Sequence, residues 1–405
     1  MKPEKTIKTI RSSPRLKSIE YAIRDVVALA QKLESNGKSV TYLSIGDPPK
    51  YFPTPRHIKD ALIKAVNEDQ NYYFDSLGLP ELREAIAEKE NKINKIPITM
   101  DDVLITEGVS EGILFVQSAL INANKKDELL IPGPSYPPWL SFTNFYEGNP
   151  VEYRLNEENN WQPDIEDIRQ KITENTRGIL LLSPNNPTGV IYSEKQLKAI
   201  ADLAGEYQIP VIADDIYDRY TYDKKFISLA SVAKDVPVIG LNGFSKTYLM
   251  TGWRLGYLYY YDPEHYLDEL REDIGRLARI RLCASSPAQV AGVAALRGPQ
   301  DHIKKVMQQL RERRDYTCKR LNEIENIECK VPEGAFYAFP KIDLGDRWKD
   351  DKEFIIDLLN TKQVLFVYGS GFGPKYGSGH FRVVYLAPIP ILEQAFDKLA
   401  DFMKH

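Results

Sequence analysis

The chain has 405 residues, with 53 Lys and Arg against 57 Asp and Glu and a formal charge of −4. A chain of this length buries a large core and is expected to hold a large domain with a smaller one attached, which excludes an isolated small module. Nearly balanced charge leaves no electrostatic footprint for nucleic acid or an acidic membrane, so small molecules are the expected ligands. Cys283, Cys318 and Cys329 show no C-x-x-C spacing, so neither a disulfide framework nor a thiolate metal site is expected, and a reducing cytoplasm fits. The opening MKPEKTIKTIRSSPRLKS is basic without a following apolar run, and no stretch nears the ~20 apolar residues of a membrane span, so a soluble cytoplasmic protein is expected.

The first helix signal is LKSIEYAIRDVVALAQKLESNG, in which Ile19, Ile23, Val26, Ala30 and Leu33 recur at helical spacing and Gly37 marks the stop. Residues 1–50 are read as an arm and helix that join the smaller domain. Across 51–300, short apolar runs (DDVLIT, DELLIP, RGILLLS, IPVIAD, VPVIGLN) alternate with amphipathic helices, the rhythm of an α/β domain with a mostly parallel sheet. SEKQLKAIADLAGEYQ (193–208) opens with Ser193 and Gln196 at capping-box spacing, which starts a helix just past NNPTG. Near residue 299 a long charged helix, PQDHIKKVMQQLRERRDYTCKRLNEI, breaks the rhythm. GAFYAFPKI, VLFVYG and HFRVVYL then follow as strands, interleaved with helices at 352–360 and 390–404, so 301–405 is read as the small α+β domain. RERR (311–314) is expected to be a solvated helix face. YGSGFGPKYGSG (368–379) is expected to be a mobile loop, because Pro374 and further glycines stand where a dinucleotide motif needs its helix.

In open α/β sheets, ligands sit beyond the carboxyl ends of the strands, where loops converge and helix N-termini present free N–H groups. Five predicted strand ends carry a telling set: EGVSEG (107–112), PSYPP (134–138), PNNPTG (184–189), DDIY (214–217) and FSK (244–246). They offer backbone N–H groups, an aromatic ring, an amide, a carboxylate with a phenol, and an amine. With Arg254, this is what holds a phosphorylated aromatic aldehyde. The Lys246 amine condenses with the aldehyde and Asp214 keeps the ring nitrogen protonated. Tyr217 and Asn186 bond the ring hydroxyl, while the helix N-terminus and a bidentate guanidinium take the phosphate.

SKTYLMTGWRLGY, NNPTG, DDIY and GPSYP, in this family's arrangement, resemble the fold-type I pyridoxal-phosphate aminotransferases of class I and II. The likeness runs from about residue 15 to the end. Within that family, IGDPP, NYYFDSLGLPELR, GPSYPPW, YRLNEENNWQPDIEDIR and GSGFG look most like the archaeal and bacterial alanine aminotransferase group. The resemblance implies the PLP-dependent transferase fold and pyridoxal 5′-phosphate as cofactor. It also implies ping-pong transfer of an amino group between an L-amino acid, alanine foremost, and a 2-oxo acid, 2-oxoglutarate foremost. Carried residue by residue, it makes Lys246 the cofactor-bonded amine and proton shuttle and Asp214 the partner of the ring nitrogen. Tyr217 and Asn186 become partners of the ring oxygen, Tyr136 the stacking ring, and Val109, Ser110 and Arg254 the phosphate site. Tyr73 is implied to reach the phosphate in a neighbouring subunit, hence a homodimer with shared sites. Arg382 is implied to grip the substrate α-carboxylate, with Gly46 giving close backbone approach. Two positions depart from the family pattern: Gly243 stands where a hydroxyl is common, with Ser245 as a substitute, and Asp215 stands where Glu is usual.

Rival readings remain open at this point. GVSEG also fits G-x-S-x-G, a hydrolase nucleophile elbow, with His380 or His302 to complete a triad. A non-catalytic regulator on the same fold, an aspartate, aromatic or broad-range aminotransferase, and a PLP β-lyase or decarboxylase are further alternatives. Arg279 and Arg281 are candidates to read a distal substrate carboxylate. The five histidines show no ligand-pair spacing, and no metal is expected.

Overall fold

The computed structural model describes residues 11–123 and 126–404; the basic stretch at 1–10 lies outside them. At its centre stands a sheet of eight strands. In chain order these are β1 Val103–Thr106, β2 Glu128–Gly133, β3 Asn149–Asn156, β4 Gln162–Pro163, β5 Thr176–Leu182, β6 Val211–Asp214, β7 Val238–Gly243 and β8 Gly256–Tyr261. Their spatial order is β1-β8-β7-β6-β5-β2-β3-β4. The five strands from β7 to β3 pair in parallel. β8 runs antiparallel between β7 and β1, and β4 is antiparallel on β3.

Every residue of β1, β6 and β7 is buried, as expected of strands covered on both faces, which need continuous apolar runs in place of alternation. Side-chain alternation still divides the core in two. Leu104, Leu180, Leu182, Ile212, Ile239 and Leu241 face one way, against Ile113, Val116 and Trp139 of the helices Val109–Leu120 and Pro137–Phe145 and against Ile274 of Asp268–Arg281. Val103, Ile179, Leu181, Val211 and Val238 face the other way, toward Leu197, Ile200 and Leu203 of the helix Glu194–Glu206. Leu182 and Leu241 lie directly below the strand ends and are at most 1% exposed. Truncating either to Ala is expected to cost ~2–5 kcal/mol of stability.

The carboxyl-terminal part carries an antiparallel sheet in which Phe381–Val384 runs between Tyr337–Ala338 and Val367–Tyr368. The amino-terminal segment joins it, because Thr41–Tyr42 pairs in parallel with Val364–Leu365. The first helix, α1, spans Ala22–Ser35 and buries Ile23, Val26 and Ala30. Ile19 stays outside it, 40% exposed, because Pro14–Ser18 forms a 3₁₀ turn and the first α-helical bonds close on the Tyr21 carbonyl. Among the described residues no helix is long and apolar enough to cross a membrane.

Three local expectations change. The capping box at Ser193 is half formed: its Oγ accepts from Gln196 N at 3.3 Å, but Gln196 Nε2 donates to Pro163 O and Ser193 N donates to Gln162 Oε1. The strand β4 thus supplies the missing acceptors. RERR is not wholly solvated, since Arg313 and Arg314 are buried, one donating to Leu386 O and the other paired with Asp223 at 2.9 Å. Segment 368–379 is anchored along its length: Ser370 N donates to Asp351 Oδ2, Ser135 N to Phe372 O and Lys375 N to Glu152 Oε1.

Candidate active site

The carboxyl ends of β1, β2, β5, β6 and β7 open into one cavity of about 630 Å³, closed on the far side by α1, residues 45–47, Tyr337 and Arg382. Lys246, three residues past β7, donates from Nζ to the Gly46 carbonyl at 2.8 Å. Burial brings its amine down from 10.5 to about 8; Arg382 and Arg254 push the same way, against Asp47 and Asp214. An amine so placed is far more available as a nucleophile near neutral pH than an ordinary lysine, though most of it still carries its proton there. A side chain at Gly46 would stand 2.4 Å from Tyr337 Oη, so only glycine lets this carbonyl reach the lysine.

Asp214 ends β6 and is 2% exposed. Its carboxylate accepts from Trp139 Nε1 at 3.1 Å and weakly from Ile216 N. Burial raises it to about 6 even so, because two neutral donors do not replace a cation. A protonated ring nitrogen is the partner such a buried acid lacks.

The Val109–Leu120 helix starts at Gly108, whose φ of 75° and ψ of 168° suit glycine alone, and no side chain caps it. Val109 and Ser110 line the cavity there. Arg254 lies against this end: a Cβ on Gly108 would come within 2.4 Å of its Nη2, while Nη1 is steadied by Thr251 O at 2.9 Å. Free N–H groups, a helix dipole and a guanidinium make a cradle for a phosphate dianion. Ser245 also faces the cavity. Gly243 has its own reason, since a Cβ there would meet Gly256 Cα of β8 and the Leu255 O just before that strand, both at 3.1 Å.

Opposite, Arg382 is 1% exposed, donating to Asn186 Oδ1 at 2.8 Å and Ser44 O at 2.6 Å and lying over the rings of Tyr337 and Phe372. Its Nε has no partner among the described residues. Such a donor, buried and unspent, fits an incoming carboxylate. Tyr217 and Tyr337 share a hydrogen bond at 2.6 Å, and Tyr136 shares one with Tyr21 at 3.1 Å; burial holds the Tyr136 and Tyr217 phenols well above their ordinary range.

The cavity therefore gathers Gly46, Val109, Ser110, Tyr136, Asn186, Asp214, Tyr217, Lys246, Arg254 and Arg382. It does not include Tyr73, which is 76% exposed elsewhere on the surface of this chain. Nor does it include Arg279 or Arg281. Arg279 is paired with Glu272 on a helix surface, and Arg281 is spent on Glu111 at 2.6 Å and the carbonyls of Ser76 and Ile105. Trp139, Tyr21, Tyr337 and Ser44 were not legible as site residues, since each reads locally as helix, strand or loop. Asp215 is buried and accepts from Ser228 and Tyr259, and burial, with Glu90 and Asp218 nearby, raises its carboxyl well above the ordinary range. The hydrolase reading lacks a triad: His380 bonds Ser378 O and Glu157, His302 bonds Thr247 O, and neither lines the cavity with Ser110.

Residues 38–396 match the family model described as aminotransferase class I and II. The chain belongs to that family. A solved alanine aminotransferase from Pyrococcus furiosus superimposes with a TM-score of 0.94 at 56% identity, covering 97% of this chain and all of that one. A glutamate-pyruvate aminotransferase of Escherichia coli is 37% identical over 97% of this chain and 98% of its own length. A probable aspartate aminotransferase of Methanocaldococcus jannaschii is 35% identical over 97% of this chain and 100% of its own. The protein is a fold-type I aminotransferase, and pyridoxal 5′-phosphate is its cofactor. The residues at the strand ends fit that group: Asp214 for its ring nitrogen, Lys246 for its aldehyde, and the Gly108 turn with Arg254 for its phosphate.

Proposed function

We propose that this aminotransferase moves the amino group of L-alanine to 2-oxoglutarate, and the reverse, in two half-reactions. The observation that carries it is the single cavity in which the Lys246 amine, the Asp214 carboxylate, the Arg254 cradle and the Arg382 guanidinium converge. The activities for which the Pyrococcus and Escherichia relatives are named support the choice of substrates. Pyridoxal phosphate, when bound, supplies a carbonyl carbon that accepts nitrogen and a ring that accepts electrons. Lys246 would hold the cofactor's aldehyde carbon, and its amine, when free, would take the substrate α-proton and hand it back. Asp214 holds the proton on the ring nitrogen. Arg382 grips the α-carboxylate, and Asn186 orients both that guanidinium and the ring oxygen with Tyr217. The amino nitrogen would be left on the cofactor when water enters and the 2-oxo acid leaves, and a second 2-oxo acid would take that nitrogen and give the water back.

Tyr73, exposed on this chain, is suited to reach the phosphate of a second copy, so the active unit is a homodimer. Its three free cysteines support a reducing, cytoplasmic setting. The test is a panel of amino acids with 2-oxoglutarate, following each oxo-acid product, for wild type and Lys246→Ala. Pyruvate from alanine in wild type and none in the variant is the expected outcome. Turnover that survives Lys246→Ala refutes the role given to the lysine, and a panel in which alanine is inert refutes the substrate.

A further inference from the structure

Lys89 is 8% exposed and has no part in the reaction above. It ends the helix Pro80–Lys89, and a single π-helical turn, Glu90–Asn94, follows directly. Such turns are rare and occur frequently at functional sites. This one gathers Lys89, Glu90 and Asn94 in the interior. Lys89 Nζ donates to Glu90 Oε1 at 2.8 Å, to Asp218 Oδ2 and to Tyr257 Oη at 3.3 Å, which occupies all three of its protons. Asn94 Nδ2 joins Glu90 Oε2 at 2.6 Å to Asp218 Oδ2 at 3.1 Å. Burial works against the ammonium as it does at Lys246, but here Asp218 and Glu90 outweigh it and raise the amine above its ordinary value.

The far end of this cluster is the turn after β6. Asp214, Ile216 and Tyr217 line the cavity, whereas Asp215 and Asp218 do not. Asp215 accepts from Ser228 Oγ and Tyr259 Oη, each at 3.1 Å, and Asp218 accepts from Lys89 and Asn94. Backbone bonds tie the turn together, Asp215 N to Leu241 O at 2.8 Å and Asp218 N to Asp215 O at 2.9 Å. The residues suited to the cofactor's ring nitrogen and ring oxygen thus stand on the front of a turn gripped from behind at both ends. Fold stability is a weak reason for such a cluster, because exchanging a buried ion pair for apolar groups of similar volume is often neutral or stabilising. Holding one geometry at the site is a stronger one.

We infer that Lys89 is a positioning residue for transamination: it clamps Asp218, with Glu90, Asn94 and Tyr257 as its frame, and so fixes the turn that presents Asp214 and Tyr217 to the cofactor ring. This rests on the aminotransferase reading above. Arg382 is held by Asn186 and Ser44, and neither belongs to the cluster. The clamp therefore acts on the ring and leaves the α-carboxylate grip as it is.

The experiment compares wild type with Lys89→Met, Asp218→Asn, Lys89→Met/Asp218→Asn and Arg83→Met. It reads melting of the cofactor-free protein, the pH midpoint of the holoenzyme's visible absorbance, and kcat and KM with the best amino acid of the panel. Lys89→Met leaves Glu90 and Asp218 without their ammonium and is expected to melt far lower. The double variant removes cation and anion together, and Asp218→Asn is nearly isosteric, so both are expected to fold. Arg83 is a buried donor on the same helix, bonded to the Met100 and Val103 carbonyls, so Arg83→Met reports loss of stability alone. In the double variant kcat is expected to fall by about 10- to 100-fold, the upper figure being that of a ~1 Å misplacement, with KM as in wild type. The absorbance midpoint should rise, because a ring nitrogen less firmly protonated draws less charge from the Lys246 nitrogen; Asp218→Asn moves it the same way by less. A wild-type midpoint and kcat in both Asp218→Asn and the double variant, or an equal shift in Arg83→Met, overturns the inference while leaving the aminotransferase reading intact. A wild-type protein that takes up no pyridoxal phosphate overturns the reading itself, before any variant is compared.

Discussion

Replacing Gly108 by Ala tests the phosphate cradle with one methyl group. The backbone there, at φ 75° and ψ 168°, lies in a region open to glycine almost alone, so an L side chain is strained by ~1–3 kcal/mol. The added Cβ would stand 2.4 Å from Arg254 Nη2. That atom ends a flexible side chain, so the clash is relieved by moving the guanidinium, and the fold survives. The loss falls on cofactor binding. Displacing one charge-assisted donor from the dianion removes ~1.5–3 kcal/mol, which converts to about 10- to 150-fold weaker affinity. Titrating cofactor-free protein with pyridoxal phosphate, read by absorbance, measures it. Gly252→Ala is the control, because it also lines the cavity but a Cβ there meets nothing within 4 Å; its affinity should stay within about twofold. A folded Gly108→Ala protein with wild-type affinity would refute the cradle.

The rate at which the cofactor-free protein captures the aldehyde should rise with pH through about 8, where burial holds the Lys246 amine, instead of near 10.5. The folded value lies below that of a free lysine, so the folded protein bears a cost that is full below about 8 and relieved between 8 and 10.5. Stability of the cofactor-free protein from this group therefore rises with pH across that window, and a flat capture profile from pH 7 to 9 contradicts the assignment. Asp214→Asn should keep the cofactor visible but lower kcat by about 10²- to 10³-fold, the range for losing one preorganised electrostatic partner. Its cofactor-free form should melt higher at pH 7, because a buried carboxylate without a cation has been removed. Arg382→Lys should raise KM for every amino acid about tenfold or more, since an ammonium cannot replace the fork; a rise confined to dicarboxylic substrates would point elsewhere. Mixing inactive Tyr73→Ala and Lys246→Ala chains should restore turnover if sites are shared across a dimer, and no restoration after verified subunit exchange rejects sharing.

Much of the large domain was written locally. The apolar runs that became β1, β2, β5, β6 and β7 are continuous because both sheet faces are covered, and a residue at the end of each run or within four positions past it lines the cavity for the same topological reason. That is why Lys246, Asp214, Asn186 and the Gly108 turn could be named from strand ends alone. Spacing along the chain carries no information about what packs across space. Trp139 reads as a helix residue until its indole meets Asp214, and Tyr337 as a strand residue until it meets Tyr217 and Arg382. Arg281 looked free for a substrate until folding gave it Glu111 and two carbonyls. Local order follows from local sterics and hydrophobic pattern; which charges end up spent and which stay available is settled only when distant segments close on one another.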